Sequence, residues 1–353
     1  MLFLTDREQR EWRSRADEIL AKSQPPQRYD TVRPELVPAF HFYLATFLAA
    51  HGKGELAGAW ARAGVLEEED GLFGLAFLAS FFERYGNRLI KPARVFADPR
   101  PFIHFASVPL LSNARKNFIR HCGESLPVFG HPVRFMDIGC GNGALAVAVL
   151  TCLLEHKKIP GISEILLIDP SPAMVNLAEE TIHAAFPDIP IRIESCTVQD
   201  CSQRIGGTVD IAMSSLAYHH MPLEEKRVHL ARLKPCIDHF LLFEMGANND
   251  TPGLYSPALA LSVYQSYGRI FDDIFAHDGP LDVVTASIDA FLMTEVVSIL
   301  TEPRGERSDY HMLQCQWNRL LAEVLSPEFV LLCDSVCHAD DHVSLFTLHY
   351  GRT

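Results

Sequence analysis

The spacing of apolar positions changes once along the chain, near residue 133. Before that point apolar side chains recur every three or four residues, through Phe40, Phe42, Tyr43, Phe47 and Leu48 and again through Leu72, Phe73, Leu75, Phe77, Leu78, Phe81 and Phe82. That period is helical, and Gln24-Pro25-Pro26-Gln27 and Lys91-Pro92 punctuate it. Residues 1–125 therefore read as a helical lobe. After 133, short apolar runs alternate with amphipathic stretches, the signature of β-α-β units around a parallel sheet. Strands are expected at 134–138, 164–168, 189–195, 209–214 and 239–244, with helices at 144–156, 173–185 and 223–233. The alternation breaks after Met245. Residues 251–308 read as an insert of two long helices, 257–275 and 281–300. A last helix, 312–325, leads into runs at 328–334 and 343–350, joined as a hairpin through Ala339-Asp340-Asp341. The expected division is a lobe, 1–125, and an α/β domain, 126–353, that carries the insert 251–308.

Charge and composition narrow the partners. The 353 residues carry 31 Lys and Arg against 44 Asp and Glu, a formal net charge of -13. A protein that grips a phosphate backbone usually shows a basic face. The densest basic stretch here, Arg115, Lys116 and Arg120, reads as a solvated helix face, so no nucleic acid is expected. The 9 cysteines include no CxxC pair and read as reduced thiols. The longest apolar stretches, 36–50 and 144–154, fall short of the roughly 20 residues of a membrane span. A signal-peptide core is not apparent before Thr5-Asp6-Arg7. The expectation is a cytoplasmic protein with no membrane partner.

The chemistry concentrates in Phe135-Met136-Asp137-Ile138-Gly139-Cys140-Gly141-Asn142-Gly143. An apolar strand carries Asp near its end, gives GxGxG, then opens a helix. Glycines there let the backbone turn tightly and approach a ligand, and the helix presents free N–H groups to it. With Ala144 the run also fits the GxGxxA dinucleotide fingerprint, so an NAD(P)-dependent oxidoreductase is the rival reading. Asp137 opposes it, because a carboxylate repels a pyrophosphate and suits a ligand carrying an ammonium and a sulfonium.

The region from about 133 to 245 resembles the class I (Rossmann-like) S-adenosylmethionine-dependent methyltransferases, in their small-molecule type. The resemblance implies an α/β fold: a seven-stranded Rossmann-like sheet with a C-terminal β-hairpin, here with a helical lobe before it and a helical insert after strand five. It implies S-adenosyl-L-methionine as cofactor and S-adenosyl-L-homocysteine as product. It sets Gly139, Cys140 and Gly141 along the methionine part of the cofactor, with Asp137 at the amino group. Asp169, closing strand two in Ile168-Asp169-Pro170-Ser171-Pro172, would take the ribose hydroxyls; its alternative is a helix start. Pro170 and Met174 would lie beside the adenine, with Val198 and Gln199 at its edge. The register of that last loop leaves Thr197, Gln199 and Asp200 open.

After strand four comes Ser214-Ser215-Leu216-Ala217-Tyr218-His219-His220-Met221, similar to the leucine-histidine-histidine stretch of small-molecule members. Ser214 and Ser215 stand where enzymes that methylate exocyclic or amide nitrogens carry Asn/Asp-Pro-Pro-Tyr/Phe, and they are assigned to the cofactor site. The family's glycine near Ile237 is missing.

Methyl transfer is an in-line displacement that rests on positioning. An oxygen or acidic carbon acceptor also needs a base, for which His suits neutral pH. The candidates are His219, His220, Glu244 and His311. Asp309 reads as the N-cap of the last helix, and Tyr310 or His311 as a substrate contact. No metal is expected: Cys333, Cys337, His338, Asp340 and His342 lack zinc spacing. Tyr255, Tyr264, Tyr267, Phe271 and Phe275 would either roof a small acceptor or pack on the lobe. The lobe in turn reads as a cap on the site or as a homodimer interface. The function expected is methyl transfer to a small molecule at oxygen or carbon; the alternative to catalysis is a non-catalytic S-adenosylmethionine-binding protein.

Overall fold

The computed structural model describes residues 1–92, 98–201 and 205–353. Seven strands form one sheet: β1 (Val133–Ile138), β2 (Ile162–Ile168), β3 (Ile191–Glu194), β4 (Val209–Ser215), β5 (Ile237–Gly246), β6 (Phe329–Ala339) and β7 (Ser344–Arg352). Their order is β3-β2-β1-β4-β5-β7-β6. β1 runs parallel to β2 and β4, β2 to β3, and β4 to β5, while β7 is antiparallel to both β5 and β6. This is the seven-stranded Rossmann-like sheet with a C-terminal antiparallel hairpin that the sequence leads one to expect. The strand order reverses between β1 and β4, and open α/β sheets bind their ligands outside the carboxyl ends of the strands at such a point.

The central strands read as apolar runs because both faces are covered. Ile211, Met213, Leu241 and Phe243 share one core with Phe118, Val149 and Ala178, from helices Pro109–Ser125, Ala144–Glu155 and Pro172–Ala185. Their neighbours Ala212, Phe240 and Leu242 pack on the other face with Leu230 and Trp317, from helices Leu223–Leu233 and Gln314–Leu325. The period-two alternation of strand side chains separates the two cores.

The first core does not stop at the sheet. It runs on through Tyr264 and Phe271 of the insert helix Pro257–Ala276 to Phe40, Trp60 and Trp12 of the lobe. Helix Val37–Ala50, against which the insert packs, is buried from Pro38 to Leu48. An all-round apolar helix needs cover on every side, and the insert supplies what the lobe lacks.

The expected elements all form, with three corrections. β6 runs on to Ala339, five residues past its expected end. Irregularities at Leu331/Cys333 and Val336/His338 break the alternation that would have marked it. The turn follows at Asp340, whose Oδ1 accepts from the N–H groups of His342 (2.9 Å) and Val343 (2.8 Å), so no glycine is required. Second, Leu281–Thr301 is 21 residues long and contains an 18-residue window with a mean hydropathy of 1.8, enough by length and composition to cross a membrane; 67% of that window is buried inside the fold. It comprises helix Leu281–Ala286, a π-helical stretch Ser287–Leu292 and helix Met293–Thr301. Third, the last helix begins at Gln314 with Leu313 as its N-cap residue, so Asp309 caps nothing.

Candidate active site

The glycines after β1 bring two loops together. Gly139 has φ +71, and a Cβ there would lie 2.3 Å from Cβ of Ala217 in the loop after β4. Gly143 has φ +73, and its Cβ would lie 3.0 Å from the backbone of Ala178. Both positions combine a left-handed conformation with a close contact: a Cβ at Gly139 would clash outright, and one at Gly143 would press on backbone. The amides of Gly139 and Cys140 donate to the carbonyl of Ile168 (2.8 and 3.2 Å), tying this loop to the end of β2.

There Asp169 accepts from the N–H of Gly141 (3.1 Å) and of Ser171 (2.9 Å). The helix after β2 is capped by Ser171, whose Oγ accepts from Met174 N. Asp169 is therefore not the cap, and its carboxylate faces a cavity of about 430 Å³. Burial raises this carboxyl, while the two backbone donors and the charge of His220 pull it down.

The cavity holds Gly139, Gly141, Asp169, Pro170, Met174, Val198, Gln199 and Ser215 in its wall. Three residues expected with them stand outside it: Asp137, Cys140 and Ser214. Ser214 is fully buried in β4, where its hydroxyl has no hydrogen-bond partner. The buried Cys140 thiol is pushed far above its usual range by burial, with Asp137 and Asp169 adding to it. Asp137 lies behind the glycine loop, its Oδ1 without a partner; burial pushes its carboxyl up to about 8, with Asp169 adding and Arg115 opposing. In the loop after β3, Thr197 and Gln199 reach the wall and Asp200 does not; Asp200 accepts from the Thr197 hydroxyl (2.9 Å).

The lobe supplies a wall of its own. Phe102, Phe105, Leu111 and Arg115 line the cavity, and a Cβ at Gly141 would lie 3.1 Å from the Phe102 ring. Arg115 thus departs from the solvated face expected of it. One Nη donates to the Ala106 carbonyl (3.0 Å), and burial pulls the guanidinium down to about 10, opposed by the Asp137 carboxylate.

At the far end of the cavity His219, His220 and His311 line the wall, and the fully buried Glu244 stands outside it, bonded to His219. His219 Nδ1 lies 2.9 Å from Glu244 Oε2, and Glu244 Oε1 accepts from the N–H groups of Ala217, Tyr218 and His219 (3.2, 3.0 and 3.3 Å). The carboxylate at the end of β5 therefore shapes the loop after β4 and fixes the imidazole within it. Through Nε2, His219 faces Asp309 Oδ1 at 3.5 Å, and its ring stacks on His311 at 4.0 Å between centroids. His220 Nδ1 donates to the Ser308 carbonyl (3.1 Å) and lies 2.9 Å from Asp309 Oδ1. Burial works against the charged form of His220, but Asp309 outweighs it and holds the imidazole above its usual range. Burial drives His311 well below its usual range, with His219 and His220 adding.

Sequence reasoning missed two carboxylates of this cluster. Asp309, read as a helix cap, is fully buried against both histidines. Glu295, on the insert, accepts from Tyr267 Oη (2.7 Å) and is raised by burial, with Asp309 adding. Of the five insert aromatics only Tyr267 reaches the cavity, joined there by Phe291. Tyr264 packs on Phe42, Phe271 and Phe275 on Phe77, and Tyr255 on His51. Tyr310 turns away, its hydroxyl accepting from Gly305 N (3.0 Å). Cys333, Cys337, His338, Asp340 and His342 belong to none of the side-chain groups close enough to share an ion among the described residues.

Residues 135–237 match the family model described as a methyltransferase domain. No curated protein matches the chain. Among solved structures it is similar to the plantazolicin methyltransferase BpumL in complex with SAH, at 11% identity over 78% of this chain and 100% of that one, with a TM-score of 0.44. It is also similar to the cyclopropane synthase MmaA2 from Mycobacterium tuberculosis (11% identity, 70% and 88% covered, TM-score 0.42). A third is magnesium protoporphyrin IX methyltransferase (ChlM) from Synechocystis PCC 6803 with bound SAM (13%, 78% and 93%, TM-score 0.38).

Proposed function

We propose that this protein binds S-adenosyl-L-methionine and transfers its methyl group to a small-molecule acceptor at oxygen or carbon, releasing S-adenosyl-L-homocysteine. The observation that carries the reading is the single cavity running from Gly139 and Asp169 to His219 and Asp309. It puts the glycine loop and a cluster of histidines and carboxylates in the wall of one cavity.

Two buried polar groups with unpartnered atoms stand at the glycine-loop end of the cavity, Arg115 in its wall and Asp137 outside it. Asp137, behind the glycine loop, suits the ammonium, and Arg115 of the lobe suits the carboxylate. Asp169 retains acceptor capacity for the ribose hydroxyls beyond its two backbone donors. Met174 and Val198 offer apolar cover for the adenine. The volume of about 430 Å³ lies within the range of small-ligand pockets.

His219 is the base best placed for an acceptor proton. Glu244 takes up Nδ1–H, which leaves Nε2, 3.5 Å from Asp309 Oδ1 in the cavity wall, as the nitrogen to receive a proton. The acceptor loses its proton there and forms a bond to the methyl carbon. The carbon–sulfur bond breaks with its electron pair going to sulfur. Walls from the lobe and insert exclude water from the sulfonium.

The test is release of S-adenosylhomocysteine with a panel of small hydroxylated and acidic-carbon acceptors. Turnover with one of them supports the reading. Tight S-adenosylhomocysteine binding without turnover on any would make the chain a binding protein.

A further inference from the structure

The segment that carries Asp309 and His311 has no regular structure of its own: residues 309–313 belong to neither helix nor strand. Backbone groups in such a stretch must find partners elsewhere, and here those partners decide where two side chains of the histidine cluster stand. The Tyr310 N–H donates to the carbonyl of His219 (2.6 Å), and the carbonyl of His311 accepts from the N–H groups of Asn249 and Asp250 (3.0 and 3.1 Å). A fourth tie comes from a side chain. Lys226 Nζ donates to the Tyr310 carbonyl at 2.5 Å, on the peptide unit that leads into His311.

Lys226 sits on helix Leu223–Leu233 and is fully buried. Its ammonium lies 3.9 Å from Asp250 Oδ2 and 4.8 Å from the centroid of the Trp317 ring. Burial pulls it down to about 8, opposed by Asp250 and Glu244. A buried ammonium is costly unless paired, and a methionine of similar length would fill the space beside Trp317 without that cost. Stability alone therefore does not call for lysine here. What lysine adds is a donor aimed at a carbonyl. Its partner Asp250 is fixed in turn. Oδ2 accepts from the Leu223 N–H (3.0 Å) at the start of the same helix, and Oδ1 lies 2.7 Å from Arg304 Nη2, which also donates to Glu224 Oε2 (2.8 Å). Two cations and two carboxylates form one network that runs from the exposed Glu224 to the buried Tyr310 carbonyl.

We propose that Lys226 is a positioning residue for methyl transfer: by holding the Tyr310 carbonyl it sets Asp309 and His311 against His219 and His220. The inference rests on the methyl-transfer reading, in which His219 takes the acceptor's proton, and adds the residue that keeps the surroundings of that base in place. Lys226 is not in the cavity wall, so its effect passes through one peptide unit. Asp309 Oδ1 lies 2.9 Å from His220 Nδ1 and 3.5 Å from His219 Nε2, and the His311 ring stacks on His219 at 4.0 Å. The pull of a carboxylate on an imidazole falls with distance, so a displaced 309–311 backbone weakens the hold on both rings.

Position and charge leave signatures of opposite sign. His220 is faced by Asp309, with Glu295 and Asp169 also acting on it; burial works against its charged form, and Asp309 outweighs burial. Removing the Lys226 charge alone takes a cation from the neighbourhood and moves the His220 titration up. Letting Asp309 drift moves it down.

The experiment is NMR titration of the histidine rings in the full chain, wild type against Lys226→Met and Lys226→Arg, with a cooperative melting transition as the check on folding. The His220 signal is identified by its loss in His220→Asn. In Lys226→Met the His220 titration is expected about one pH unit lower or more, a roughly tenfold loss of proton affinity. Lys226→Arg keeps a charged donor and is expected to recover most of it. Arg304→Gln acts from the outer part of the network and leaves the buried lysine in place, so it serves if Lys226→Met does not fold; a smaller downward shift is expected. A His220 titration that is unmoved or raised in Lys226→Met, or unmoved in Arg304→Gln where the first variant does not fold, overturns the proposal. S-adenosylhomocysteine titration of the same samples separates the two readings. Binding with an unmoved His220 removes only the role of Lys226, and a lowered His220 titration without S-adenosylhomocysteine binding removes only the cofactor.

Discussion

The backbone N–H of Gly141 donates to the carboxylate of Asp169 at 3.1 Å. One contact thereby joins the loop after β1 to the end of β2 across the point where the strand order turns. Asp169→Ala removes this tie and the acceptor for the ribose hydroxyls together. Charged hydrogen bonds of this kind contribute about 1.5–3 kcal/mol, so S-adenosylhomocysteine affinity should fall about tenfold or more. Calorimetric titration of the variant checks it, and unchanged affinity would contradict the assignment of Asp169.

Glu244 holds the loop after β4 through three backbone N–H groups and orients His219 through Nδ1. In Glu244→Gln one oxygen can still serve the backbone, while an amide N–H comes to face the ring and disfavours the tautomer with Nε2 free. General acid–base groups contribute roughly 10²–10⁴ in rate. The turnover number should therefore fall about 10²-fold or more with cofactor affinity kept. An unchanged turnover number would remove His219 from the proton path.

Asp137 gives a prediction with a definite sign in pH. Burial lifts its carboxyl in the folded protein to about 8, against an unfolded value near 4. Between those values the folded chain holds the proton the unfolded chain has lost, so this group's contribution to stability falls as pH rises from about 4 to 8. Asp137→Asn removes that slope. The variant's melting temperature should gain on the wild type's between pH 5 and pH 8.5, while S-adenosylhomocysteine binds more weakly for want of a partner to the ammonium. Equal melting temperatures at both pH values would show that Asp137 is not held protonated.

How much of this was legible from the sequence depended on the range of the contacts. The cofactor loop was legible because its chemistry is contiguous: Asp137 through Gly143 carries the strand, the turn and the helix start in one run. His219 and His220, which line the cavity, lie in a contiguous run of the same kind, Leu216 to Met221. Arg115 was misread because a basic helix residue looks the same whether it faces water or a cavity walled by a strand that begins 18 residues later. Asp309 just before a helix has the pattern of a cap; only the fold brings it to His219, 90 positions earlier in the chain. Glu295 sits in an apolar helix whose neighbours give no hint that it faces a histidine cluster. The insert aromatics were split by the fold, one into the cavity and four onto neighbouring helices and side chains, a division that periodicity alone does not contain.

The most direct test of the central claim is calorimetric titration of the purified full chain with S-adenosylhomocysteine, with NADH as the parallel control. The account predicts one S-adenosylhomocysteine per chain with micromolar Kd, about -8 kcal/mol, and no heat from NADH. Binding of NADH without binding of S-adenosylhomocysteine would contradict it, and would make the glycine loop after β1 a dinucleotide site.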